Sequence, residues 1–123
     1  MTVNEAILRA DELRPNPFDE KQKARWLSEL DGKIAKEILN KDGFAPYDIS
    51  NGGETELLAE DAYGDLYLFY LCAMIDFFSR DYGEYNNSIA MFTNIFSAFA
   101  KAKKSSGEIK KSGRESQYYK NIF

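Results

Sequence analysis

The chain contains no histidine, and its 123 residues include a single cysteine, Cys72. Without histidine there are no Ser-His or Cys-His nucleophile pairs and no metal sites with imidazole ligands. A single cysteine also rules out an intramolecular disulfide and a zinc finger. Cys72 lies in an apolar stretch, where we interpret it as a small hydrophobic residue. We therefore expect a protein that is not an enzyme, with no cofactor, no metal and no small-molecule substrate.

Long apolar runs are also missing. The longest uncharged run, Tyr85 to Ala100, is interrupted by asparagine, serine and threonine and is too short to cross a bilayer. Residues 1–17 carry five charged side chains where a secretory signal needs an apolar segment. We therefore expect an intracellular protein with no membrane contact.

The charge is unevenly distributed along the chain. Residues 1–100 carry nine Lys/Arg and eighteen Asp/Glu, a balance of −9, whereas residues 101–123 carry seven basic and two acidic side chains, a balance of +5. The sum is the net charge of −4. An acidic body repels phosphate and is not expected to bind nucleic acid non-specifically. With 44% hydrophobic residues, the chain predicts one folded domain, 1–102, followed by a flexible basic and aromatic tail, 103–123.

Apolar residues recur at helical spacing in most of this domain, which predicts an all-α bundle. Thr2 with Glu5 is a capping box, and Asp19 marks a second helix start. Eleven of the eighteen aromatic residues fall between Tyr63 and Phe99 and form two strong apolar stripes. The stripe that begins at Tyr63 is apolar on nearly all sides, so we expect it at the centre of the bundle or covered by another chain. The predicted helices are 3–14, 20–41, 63–79 and 83–102.

Residues 43–61 lack this periodicity. Asn51-Gly52-Gly53 separates two short apolar segments, 47–49 and 55–58, so the sequence permits a small β-hairpin. Because two short strands are marginally stable alone, a plain loop is an equal alternative.

Acidic residues occur in three places where a site could form. Glu60, Asp61 and Asp65 precede the third helix, where negative charge suits the helix dipole, and we interpret them as capping and surface-pairing residues. Asp76 has Arg80 four residues later, the spacing of a helical ion pair. Asp48 begins an oxygen-rich loop, but the ligand alternation and final glutamate of a calcium-binding loop are missing.

The tail ends in large apolar side chains. A flexible segment gains nothing by exposing such groups to water, so we expect them to dock on protein. The sequence leaves open whether they fold back onto their own domain or insert into a neighbouring subunit. The predicted partner-docking residues are Tyr118, Tyr119, Ile122 and Phe123.

An ordered series of segments resembles the head–tail connector (adaptor) proteins of phages and prophages of Gram-positive bacteria. The resemblance covers about residues 3–102, and its most specific segment is Tyr85–Phe92. The sequence departs from the family pattern after the third helix, where the usual Asn-Gly turn is replaced by Ser79-Arg80. The other segments that carry the resemblance are Arg25–Ile34, Glu56–Leu58, Asp65–Tyr67, Tyr70–Leu71 and Ile75–Asp76.

The resemblance implies a non-enzymatic virion protein that assembles as a ring between the portal and the tail. Its partners would be other copies of itself, the portal and tail-completion proteins, with DNA passing through the channel without specific binding. Such a protein would act in the bacterial host cytoplasm during assembly and then in the virion neck. The alternative is a small helical regulatory or protein-binding module encoded by a prophage.

Overall fold

A computed structural model of the chain describes residues 1–51 and 53–105. The described residues form four α-helices, and no strand is present among them, so the all-α prediction is confirmed. Short 3₁₀ turns at Ile49–Asn51 and Asp61–Tyr63 interrupt the long connection between the second and third helices. The helices are α1, Val3–Leu13; α2, Glu20–Lys33; α3, Asp65–Phe78; and α4, Tyr82–Ser105.

The predicted start signals of α1 and α2 are present as hydrogen bonds. The Glu5 amide donates to the Thr2 hydroxyl at 3.1 Å, and the Thr2 amide donates to the Glu5 carboxylate at 2.9 Å. At the start of α2, the Gln22 amide donates to the Asp19 carboxylate at 2.8 Å. These side chains satisfy amides that have no partner within the helix, and so they fix where each helix begins.

The helices run up, down, up and down. Lys23 of α2 pairs with Asp11 of α1 at 2.7 Å. Near the other end of α2, Asp31 accepts a hydrogen bond from Tyr67, which lies in the first turn of α3. Successive helices are therefore antiparallel neighbours, joined by short turns between α1 and α2 and between α3 and α4, and by the long connection between α2 and α3. One end of the bundle holds the α3–α4 turn, and the opposite end holds the starts of α1 and α3 and the end of α4.

Helix α3 is the centre of the core, as its apolar circumference predicts. Leu66, Tyr67 and Leu71 are fully buried or nearly so, and α3 packs against each of the other three helices. The apolar stripe of α4 faces α3, and its Phe92 and Phe96 side chains are buried. The predicted helical phase of both elements is therefore confirmed.

The helix boundaries differ from the predicted ones mainly in the second helix. The predicted helix, 20–41, is too long. The α-helical part ends at Lys33, and a π-helical turn, Ile34–Ile38, follows directly. The Leu39 amide donates to the Ile34 carbonyl and closes this turn. Helix α4 continues three residues past the predicted end at 102, since Lys103 is held by the Glu60 carboxylate at 2.8 Å. Helix α1 ends one residue earlier than predicted, and α4 begins one residue earlier. Helix α3 begins two residues later than predicted and ends one residue earlier.

The hairpin alternative for residues 43–61 is wrong for the described residues, and the loop alternative holds. The 53–57 segment pairs with the start of α1 instead of with 47–49. The Val3 amide donates to the Thr55 carbonyl at 3.0 Å and the Asn4 amide to the Gly53 carbonyl at 2.8 Å. Free amides at a helix start need acceptors, and this segment supplies them, which a hairpin paired with itself would not do.

None of the helices in the described ranges is long and apolar enough to cross a bilayer.

Candidate functional site

A buried carboxylate joins three distant parts of the chain. Asp31 of α2 is completely inaccessible to solvent. It accepts hydrogen bonds from the Tyr67 hydroxyl at 2.6 Å, from the Leu58 amide at 3.0 Å, and from the Tyr47 hydroxyl. The Tyr67 hydroxyl in turn accepts a bond from the Ala59 amide at 2.8 Å. This network fastens the 43–61 connection to α2 and α3.

Burial dominates the ionisation of this cluster. Desolvation raises the pKa of Asp31 above its usual range, although the bonds from Tyr47 and Tyr67 oppose the shift. Burial and the nearby carboxylate raise the pKa of both phenols, so both remain neutral donors at physiological pH. The arrangement therefore holds a fixed set of donors around one acidic group, which is what a structural anchor requires.

The anchored connection forms one wall of a surface groove of about 500 Å³ against α2. Ser28 of α2 accepts a hydrogen bond from the Tyr47 amide at 2.9 Å, which sets the position of that wall. The rings of Phe44 and Tyr47 contact each other edge to face, with centroids 5.3 Å apart. The groove has an apolar floor, and exposed Lys21, Arg25, Glu29 and Asp48 lie along its rim.

A second candidate surface lies at the α3–α4 turn. We define the aromatic cluster as Phe77, Phe78, Tyr82 and Tyr85. The Phe77 ring contacts the other three at centroid distances of 5.2 to 5.9 Å. Phe77, Phe78 and Tyr82 are 45%, 52% and 55% exposed. Half-exposed rings in contact with one another make an apolar patch of the kind found at protein interfaces.

The aromatic cluster is supported from below. Phe78 stacks on the buried Trp26 of α2, with ring planes 4° apart and centroids 5.5 Å apart. The Trp26 ring also packs edge to face on Phe18. Because Phe78 is fixed by this stack, the cluster presents an ordered surface rather than freely rotating side chains. The Trp26 side chain is only 3% exposed.

A charged network lies at the same end of the bundle. Buried Asp76 accepts hydrogen bonds from Arg14 at 2.9 Å and from Ser88 at 2.8 Å, and Arg14 also reaches Glu84 at 2.7 Å. The predicted Asp76–Arg80 ion pair is therefore wrong, because Asp76 points into the bundle while Arg80 lies in the turn. The network joins the ends of α1 and α3 to the start of α4 and holds the aromatic cluster in place.

The other predicted acidic groups pair on the surface. Glu60 binds Lys103, and Asp65 binds Arg9 at 3.2 Å. The hydrogen bond from Lys103 lowers the pKa of Glu60. Asp61 accepts a bond from the Met1 α-amino group at 2.5 Å. The interpretation of these residues as surface-pairing groups is confirmed, but the capping role is wrong, because neither the Asp61–Tyr63 turn nor α3 begins with a side-chain cap hydrogen bond.

The calcium interpretation finds no support among the described residues. Asp48 accepts a hydrogen bond from the Ser50 amide at 2.9 Å, which is an ordinary turn contact. Within 1–51 and 53–105, no three acidic or thiol side chains converge as a metal site would require. Cys72 is buried, and burial raises the pKa of its thiol to about 11.

The predicted docking residues lie outside the described residues, which end at Ser105. The anchor at Asp31 was not predicted from the sequence. One signal was present: Asp31 follows Leu27 by four residues and so falls within the apolar stripe. A charged residue in such a register indicates either a break in the stripe or a buried polar contact.

Comparison of this chain with protein-family models, with curated proteins and with solved structures finds no match.

Proposed function

We propose that the chain is a non-enzymatic subunit of a phage or prophage head–tail connector, which assembles as a ring between portal and tail. The observation that carries the proposal is the exposed aromatic cluster at the α3–α4 end of the bundle, where half-exposed rings contact one another. The ordered series of sequence segments that resembles the connector family gives the proposal its specific form. The protein would act in the host cytoplasm during assembly and in the virion neck afterwards.

The geometry of the aromatic cluster suits an assembly contact. Aromatic side chains dominate the binding free energy of many interfaces when they are held rigidly before contact. The stack on Trp26 and the network around Asp76 hold Phe77 and Phe78 in this way. A neighbouring copy or the portal would cover the rings and remove their apolar surface from water.

The charge distribution agrees with a DNA channel. The folded body, residues 1–105, carries twelve Lys/Arg and eighteen Asp/Glu, and this balance of −6 repels phosphate. DNA would then pass through a ring of such subunits without adhering to its wall. Residues 103–123, with the docking side chains Tyr118, Tyr119, Ile122 and Phe123, would bind the next component of the neck.

Electron microscopy of a mixture with the portal protein encoded in the same gene cluster tests the proposal. We expect an additional ring of density on one face of the portal particle. Phe77→Gln should weaken this assembly at least tenfold, because it places a polar amide in the aromatic contact. Met91→Gln is the matched control, since Met91 is similarly exposed at 46% but lies outside the aromatic cluster. Portal particles that look the same with and without the protein would contradict the proposal.

A further inference from the structure

The groove beside α2 is built to receive apolar side chains. Its volume of about 500 Å³ falls within the range of about 300–1,000 Å³ that is typical of binding sites. Ala24, Phe44 and Ile49 contribute apolar surface to its lining, and Tyr47 is fixed at one side by Asp31. The groove therefore keeps its shape without an occupant.

We propose that, in the free chain, this groove is occupied by residues 118–123 of the same chain. That segment combines Tyr118, Tyr119, Ile122 and Phe123 with one cation, Lys120. The apolar side chains match the floor of the groove. The rim carries two cations, Lys21 and Arg25, and two carboxylates, Glu29 and Asp48, so it offers Lys120 an anionic partner. The inference does not depend on the proposed connector function.

The path of the chain brings this segment within reach. Lys103, in the last turn of α4, is bound to Glu60. Two residues before Glu60, the Leu58 amide is bound to Asp31, which also holds Tyr47 in the groove wall. The end of α4 and the groove are thus connected through a few direct contacts. Twelve residues, 106–117, separate Ser105 from Tyr118, and an extended chain of that length spans up to about 40 Å.

Tethering favours the chain's own segment over that of a second copy. A segment tethered to its own domain by about a dozen residues experiences an effective concentration in the millimolar range. The same segment of a second copy, present at micromolar concentration, therefore competes poorly for the groove. Binding to a neighbour would then require the neighbour to be held in place by other contacts.

Disulfide trapping in the full-length chain tests the proposal. In a Cys72→Ala background, Ile122→Cys is combined with Lys21→Cys or with Arg25→Cys, both exposed rim positions on α2. The control combines Ile122→Cys with Ala90→Cys, an exposed position on α4, which does not border the groove. Circular dichroism checks that each variant retains the helical fold.

We expect both rim pairs to form an intramolecular disulfide at least tenfold faster than the control pair, at a rate independent of protein concentration. The product is a monomer with altered mobility on a non-reducing gel. Equal rates for the rim and control pairs would overturn the proposal. Disulfide-linked dimers as the main product would overturn the assignment to the same chain and point to a second copy.

Discussion

Asp31 is a carboxylate placed where water cannot reach it, and its neighbours compensate for the lost hydration with donors. The two phenols and the Leu58 amide make charge-assisted hydrogen bonds to it. Removing the carboxylate would leave these buried donors without an acceptor, at a cost of about 1–3 kcal/mol for each. The residue therefore stabilises one particular arrangement of the 43–61 connection rather than the bundle in general.

The raised pKa of Asp31 predicts a pH dependence with a definite sign. The folded state binds the Asp31 proton more tightly than the unfolded state, whose pKa is near 3.8. This contribution to stability is fully present below pH 3.8 and is lost as the pH rises through the raised folded value. The free energy of unfolding of the wild type should therefore increase relative to that of Asp31→Asn as the pH falls from 7 towards 3.8. Urea unfolding followed by circular dichroism measures this difference.

Asp48→Asn is the control for that experiment. The bonds from Ser50 lower the pKa of Asp48, so its contribution is fully present above pH 3.8 and is lost only as the pH falls below that value. The difference between the wild type and Asp48→Asn should therefore stay nearly constant from pH 7 towards 3.8 and shrink only at lower pH. A difference between wild type and Asp31→Asn that stays constant over this range would contradict the assignment.

Arg80 occupies a backbone conformation that suits glycine. Its φ is +62°, and the surrounding bonds close α3 in a Schellman motif: the Arg80 amide donates to Phe77 and the Asp81 amide to Asp76. The motif ends α3 and reverses the chain, so that α4 runs antiparallel to α3.

Arg80→Gly should therefore raise the free energy of unfolding by about 0.5–1 kcal/mol. Glycine adopts the left-handed conformation without strain, and this gain exceeds the extra conformational entropy that glycine loses on folding. Denaturant unfolding measures the change. Arg80→Ala keeps the strain and should give no gain. Equal stabilisation by both substitutions would show that the side chain, and not the backbone, is responsible.

The connection 53–57 completes the start of α1. Its carbonyls accept from Val3 and Asn4, and its Leu57 amide donates to the Met1 carbonyl. Gly53 makes the close approach possible: its φ is +70°, and a Cβ there would lie 3.0 Å from the Asn4 Cβ. An element with no regular structure of its own thus becomes part of a helix cap.

Gly53→Ala should lower the free energy of unfolding by about 2–4 kcal/mol, because it adds both backbone strain and a steric clash. Gly32→Ala is the matched control within α2. A Cβ at Gly32 would meet the Phe44 ring at an ordinary 3.5 Å, so the substitution should raise stability by up to about 1 kcal/mol through helix propensity. Chemical unfolding of both variants checks the pair, and a neutral Gly53→Ala would contradict this role for residues 53–57.

Helix positions were predictable from the sequence because their signals are local. The Thr2–Glu5 box and the α4 stripe through Phe92 lie within a few residues of the structure they specify. The π-helical turn at Ile34–Ile38 was not predictable, since its apolar spacing is the same as that of an α-helix. The Asp31 anchor joins residues 16 and 36 positions away, and no local pattern identifies such partners.

At the scale of the whole molecule, the bundle has two different ends. One end carries the aromatic cluster, supported by Trp26 and the Asp76 network, and the other carries the start of α1 and the end of α4. A subunit with unlike ends suits head-to-tail contacts, which close into rings when the rotation between copies permits. The sequence predicted the excess of apolar helix surface but not which part of it stays exposed.

Hydroxyl-radical footprinting tests the proposed assembly role most directly, on the free protein and on the protein mixed with the portal protein encoded in the same gene cluster. It reports the solvent exposure of individual aromatic and methionine side chains. We predict that labelling of Phe77, Phe78 and Tyr82 falls at least threefold in the mixture, while labelling of Met91 stays the same. Unchanged labelling of those three rings would contradict the assignment of the aromatic cluster as the assembly surface.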